Sequence, residues 1–269
     1  DDLKQYDFKA VQSAIESLFL IHKRAMNMVS LTTAERDFFR DPILHFSEKI
    51  IDMIFESLPD NSEKRKALHK KTALLSASMI EVPDCDFIGG MAKSVYKAGI
   101  RNFHIDIGDG VYISRKICGL DKIRYLQENF HDVKINVHLM TKSPNSLLEG
   151  GKSLIQKYCE TKISVLYIYT DSFESEMEII QAFEDIKSFS VKPGILIKHN
   201  EEYSEEIMDF IITNDIHNLL FMGVESGRGG QRFNQNVLDN IRKYKNRANM
   251  EKYALEIEVD GGLTEKIVI

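Results

Sequence analysis

Residues 254–262 read ALEIEVDGG. From Leu255 to Asp260 apolar and acidic side chains alternate, the two-residue period of a strand with one face buried, and paired glycines then turn the chain. Working backwards, six more short apolar runs precede it: NLLFMGV (218–224), GILIK (194–198), ISVLYIYT (163–170), VKINVHLM (133–140), FHIDI (103–107) and TALLSAS (72–78). Single stretches of helical periodicity separate them: 87–99, 119–130, PNSLLEGGKSLIQKYCE (144–160), 175–189, 204–214 and 234–247. Strand and helix in strict alternation mean repeated βαβ units and a parallel sheet. An open doubly wound sheet fits this pattern. A seventh strand running into DGG favours a TIM (β/α)8 barrel whose last strand-helix unit is absent from the chain, which is then expected to continue past Ile269.

Residues 1–71 have a different texture. AVQSAIESLFLIHKRAMNMV (10–29) and DPILHFSEKIIDMIFESL (41–58) space their apolar residues as helices do, and SEKRKALHKK (62–71) reads as a solvated helix or linker. The expectation is a helical N-terminal extension over 1–71 and a barrel over 72–269. His22, His45 and His69 read as surface or helix-packing residues.

With 43% hydrophobic residues the 269-residue chain has enough apolar material for a large core. A net charge of −6 argues against a nucleic-acid partner. No apolar run approaches the ~20 residues of a membrane span, and no signal-peptide pattern opens the sequence. Three widely spaced cysteines, Cys85, Cys118 and Cys159, fit reduced thiols and a cytoplasmic setting.

Barrels of this type carry their chemistry at the C-terminal ends of strands. Here those ends hold His104 and Asp106, His138, Met222 and Glu225, and Asp260. A single strand histidine is usually a hydrogen-bonded core residue. Two imidazoles and two carboxylates at one barrel mouth match instead a divalent ion of borderline softness, Zn²⁺, Fe²⁺ or Mn²⁺. ESGRGGQRF (225–233) and DGG (260–262) follow neighbouring strands, where backbone amides either cradle a phosphate or merely make tight turns. Asp109 falls outside the alternation of HIDIGDG (104–110) and reads as a turn residue.

LLSAS, FHIDIGDG, VHLMTKSP, LLFMGVESGRGGQRF and IEVDGGLT, in this order over 72–269, make the chain resemble the ribulose-phosphate 3-epimerase family. The resemblance implies one divalent metal held by His104, Asp106, His138 and Asp260. It also implies inversion of C3 of D-ribulose 5-phosphate to D-xylulose 5-phosphate through an enediolate. Asp106 and Asp260 would be the two acid/bases, one for each face. Met140 and Met222 match residues beside the intermediate, or are barrel core; Gly229, Gly230, Gly261 and Gly262 match the phosphate-side loops. A homo-oligomer is also implied.

Several positions depart from the family: Ala73 stands for serine, Ser78 for aspartate, Gly108 for methionine, Ser114 for proline, Arg115 for asparagine, and Ser226 and Arg228 for proline and phenylalanine. Gly108 is expected to open space above the metal. Arg115 and Arg228 either add positive charge near a phosphate or sit in solvent. These departures leave two alternatives: an epimerase of a hexulose 6-phosphate, or a catalytically weak sugar-phosphate-binding or regulatory relative using 1–71 as an interaction module.

Overall fold

The computed structural model describes residues 76–80, 85–97, 99–227 and 230–263. The helical reading of 1–71, the first residues of TALLSAS, Arg228 and Gly229 lie outside these residues.

Eight strands are described: β1 (Ser76–Ser78), β2 (Asn102–Asp109), β3 (Lys116–Ile117), β4 (Lys134–Met140), β5 (Val165–Ile168), β6 (Lys192–Ile197), β7 (Asn218–Met222) and β8 (Glu256–Asp260). Seven run parallel in the order β1-β2-β4-β5-β6-β7-β8, and β3 is a two-residue antiparallel return on β2. Six helices cross over between neighbours: α1 (Cys85–Lys97), α2 (Leu120–Asn129), α3 (Leu154–Cys159), α4 (Glu176–Ser188), α5 (Glu205–Thr213) and α6 (Asn236–Met250). Each strand thus pairs with the next parallel strand in the chain, the signature of a singly wound barrel rather than a doubly wound sheet.

Strands β2 and β4–β7 bury both faces, because alternate residues meet different partners. Phe103, Ile105 and Ile107 of β2, Val137 and Leu139 of β4, Leu166 and Ile168 of β5, and Leu219 and Phe221 of β7 join the helices' Ile123, Leu126, Phe183, Met208 and Tyr244 in one core. Met140, Val165, Tyr167, Leu196, Leu220 and Met222 form a second, separate core on the opposite face. That face curls inward. In a flat sheet β2 and β8, five positions apart, would be separated by ~24 Å, yet His104 Nδ1 on β2 lies 3.2 Å from Glu258 Oε1 on β8. Only a sheet bent most of the way round brings those side chains together.

One helix is shorter than its periodicity suggests. Residues 144–153 are turns closed by an isolated Leu147–Ser153 bridge, with Gly150 and Gly151 at positive φ. Helix α3 begins only at Leu154, capped by Ser153, whose hydroxyl accepts from Gln156 N while the Gln156 side chain accepts from Ser153 N. This capping box satisfies two otherwise open ends and sets the start of the helix.

Candidate metal centre

His104, Asp106, His138 and Asp260 each contribute one donor atom to a group lying within 4.8 Å of one another. Three strand ends place them. Asp106 of β2 is in register with His138 of β4, and Asp260 ends β8 opposite Met222 of β7. His138 Nδ1 is 3.0 Å from Asp106 Oδ1 and 3.8 Å from Asp260 Oδ2. His104 Nε2 is 3.5 Å from the same Asp106 oxygen and 3.6 Å from the same Asp260 oxygen. His104, Asp106 and His138 are buried, whereas the Asp260 side chain is 21% exposed and open to the mouth.

The electrostatics call for a cation. Burial alone would depress the His104 imidazole, yet the charges of Asp106 and Asp260 hold it well above its ordinary 6.5. His138 is raised too: burial opposes it, but hydrogen bonds to Asp106 and Asp260 prevail. Burial would raise Asp106; the nearby His104 charge and the hydrogen bond with His138 keep it well below the usual carboxylate range. Protons on the imidazoles therefore balance the carboxylates. His104 Nε2, buried at the centre, has no hydrogen-bond partner among the described residues. An orphaned imidazole nitrogen beside two carboxylate oxygens and a second ring nitrogen is the donor set that a borderline divalent ion takes, so the residues present fit the metal.

Outer contacts fix which nitrogen faces inward. His104 Nδ1 points away, at Glu258, which also accepts from Asn136 Nδ2 at 2.8 Å. His138 turns its Nε2 to the Tyr169 hydroxyl at 3.3 Å. Asp106 Oδ2 accepts from Ser78 Oγ at 3.1 Å. Such partners set ring orientation and tautomer in metal sites. Glu258, Asn136 and Tyr169 escaped the sequence reading, although the signal was present. Asn136, His138 and Met140, and likewise Glu258 and Asp260, stand two apart on their strands.

Met140 and Met222 are buried in the inner core with Tyr169. Gly261 and Gly262 turn the chain at φ +87° and +70°. A side chain at Gly262 would come within 2.8 Å of the Phe233 backbone, so the turn after β8 packs directly on the loop after β7. Gly230 is exposed, at φ +72°, with open space where a side chain would be. Glu225 is exposed and away from the cluster. Asp109 accepts from the backbone of Val111, Tyr112 and Lys142, each at 2.8 Å, and so ties the β2–β3 loop to the end of β4. Arg115 donates to Ile80 O at 3.4 Å.

The expectation at Gly108 needs correction. A Cβ there would meet Arg115 O at 2.6 Å and Ile113 Cδ1 at 2.7 Å. The glycine opens no space above the centre. It lets the β2–β3 return and the Ile113 side chain close down on β2.

The sequence model of the ribulose-phosphate 3-epimerase family matches residues 74–269. This chain belongs to the ribulose-phosphate 3-epimerase family. Membership places it among the isomerases that epimerise carbohydrates. The ribulose-phosphate 3-epimerase of Bacillus subtilis (strain 168) is 27% identical over 183 residues, covering 66% of this chain and 76% of that protein. The cytoplasmic isoform of ribulose-phosphate 3-epimerase from Oryza sativa subsp. japonica is 26% identical over 196 residues, covering 71% and 77%. Among solved structures, 3-keto-L-gulonate-6-phosphate decarboxylase from Vibrio cholerae superposes with a TM-score of 0.50 at 11% identity, covering 73% of this chain and 81% of that one. That likeness bears on the fold alone. It agrees with the barrel read from the strand order. No helix among the described residues is long and apolar enough to cross a membrane.

Proposed function

We propose that this family member is a metal-dependent epimerase that inverts C3 of a ketose phosphate, D-ribulose 5-phosphate to D-xylulose 5-phosphate, by two-base proton transfer through an enediolate. The observation that carries the reading is the convergence of Asp106 and Asp260, from strands far apart in the sheet order, on one cluster with His104 and His138. These four residues would hold a divalent ion, which when bound would supply Lewis-acid stabilisation of charge developing on the substrate oxygens. Zn²⁺, Fe²⁺ and Mn²⁺ suit the mixed imidazole and carboxylate set.

Inversion needs one acid/base on each face of a planar carbon. Asp106 and Asp260 take these places in the reading, Asp260 approached directly from the mouth and Asp106 held by Ser78 and His138. Gly229, Gly230, Gly261 and Gly262, the positions matched to the phosphate-side loops, would supply backbone amides to the phosphate. Met140 and Met222 would form an apolar wall beside the reacting carbon. The hexulose 6-phosphate alternative rests on Gly108 and Arg115 reshaping the lid, and Ile113 fills the room at Gly108. The reading includes a cytoplasmic setting, assembly of copies of the chain, and an extension, 1–71, outside the catalytic barrel.

The test is epimerisation of D-ribulose 5-phosphate in deuterium oxide. Wild type inverts C3 with uptake of solvent deuterium; Asp260→Asn, saturated with metal and folded, loses about 10²–10⁴-fold in inversion, the usual contribution of a positioned acid/base, while the remaining base can still exchange the proton on its own face. Epimerisation at the wild-type rate in that variant refutes the two-base assignment. A panel of pentulose and hexulose phosphates on the metal-loaded protein decides the substrate, and inactivity on all of them favours a binding or regulatory relative.

A further inference from the structure

We propose that Tyr169 is a positioning residue that links the metal ligand His138 to Ser226 in the glycine-rich loop after β7, so that the loop's occupancy is felt at the metal. The inference rests on the metal-centre reading above and adds to it a coupling between two parts of the mouth.

Tyr169 follows β5, on the inner side of the barrel, and is 1% exposed. Its hydroxyl makes two contacts. One is to His138 Nε2 at 3.3 Å; the other is a hydrogen bond with Ser226 Oγ. The ring is fixed by stacking on Tyr112, with centroids 4.9 Å apart, and lies 5.7 Å from the His138 ring. A buried phenol held on both flanks has little freedom to relax if either polar contact is lost.

The direction of the hydrogen bonds follows from the site. His138 Nδ1 faces the carboxylates, so as a ligand the imidazole offers its Nδ1 lone pair there and carries its proton on Nε2. That N–H donates to the Tyr169 oxygen. The phenol proton is then directed to Ser226 Oγ, and the Ser226 hydroxyl proton points away from Tyr169. An anion in the loop thus meets a donor whose far end is His138. Chains of hydrogen bonds of this kind polarise one another. Binding free energies are reciprocal, so an anion strengthened by the metal also strengthens the metal.

The experiment measures divalent-ion affinity by competition with a chromophoric chelator, using Zn²⁺ and Co²⁺, and records the visible spectrum of the Co²⁺ form with and without inorganic phosphate. Tyr169→Phe keeps the ring and is expected to weaken the ion about 10–100-fold, the usual loss when an outer partner of a ligating histidine is removed, with changed Co²⁺ bands. Ser226→Ala, which keeps the Tyr169 contact with His138, is expected to weaken the ion less than Tyr169→Phe does, and to lose the phosphate-dependent tightening and spectral shift seen in wild type. Wild-type affinity and spectrum in folded Tyr169→Phe overturn the positioning role. An undiminished phosphate response in Ser226→Ala, or none in wild type, overturns the link to the loop. Failure of wild type to bind any divalent ion refutes the metal-centre reading itself, a result distinct from these.

Discussion

Metal binding at His104, Asp106, His138 and Asp260 is expected to displace protons, and the number is set by the structure. With no ion bound, buried Asp106 and partly exposed Asp260 are balanced by imidazoles whose proton affinity is raised, His104 well above 6.5. A ligating imidazole must be neutral. Both imidazoles bind protons more tightly in the fold than free in water, so protons leave as the ion binds. Each proton displaced makes affinity rise about tenfold per pH unit. The gain tapers as pH passes the raised folded values. Calorimetric titration of Zn²⁺ in buffers of different ionisation enthalpy counts the protons directly. A count near zero at pH 6 refutes the charge balance. Stability of the ion-free fold follows with definite signs. The imidazoles, raised on folding, contribute fully below 6.5, and that contribution is lost as pH climbs through their folded values. Asp106, lowered on folding, contributes fully above 3.8, and its contribution is lost as pH falls through its folded value. Thermal unfolding without metal should therefore be most favourable to the fold between 3.8 and 6.5, and saturating metal should reverse the decline above that window.

Two more outcomes test the surroundings of the centre. Glu258→Gln, which removes the charge behind His104 Nδ1, should weaken Zn²⁺ about 10–100-fold by chelator competition while the protein stays folded; unchanged affinity would show that the carboxylate does not orient the ring. Gly108→Ala forces a Cβ to 2.6 Å from a backbone oxygen and should cost about 1–3 kcal/mol in urea unfolding, as overpacking does; a neutral result would mean that the β2–β3 return shifts freely.

Much of the site was legible along the chain because strands repeat every two residues and barrel chemistry gathers at strand ends. His104 and Asp106 could be placed on one face from their spacing alone. That His138 and Asp260 join them needed only the βα alternation that sets strand order. Positions 144–153 were misread for a local reason: helical spacing of leucines and isoleucine says nothing about where two glycines at positive φ break the turn. Gly108 was misread for a longer-range one, since what fills the space beside a missing side chain depends on a loop folding back.

The amino-acid sequence by itself determined the parallel barrel, its strand order and the four candidate ligands, because these follow from periodicity and from residue types at strand ends. Only the tertiary structure decided which nitrogen of each histidine faces the carboxylates, that Glu258 and Tyr169 stand behind them, and that Ile113 closes the gap at Gly108. Those features arise where the curled sheet brings β8 back to β2 and the loops pack over its mouth. Contacts between residues 154 positions apart, such as His104 and Glu258, depend on the curl of the whole sheet, to which no local pattern refers.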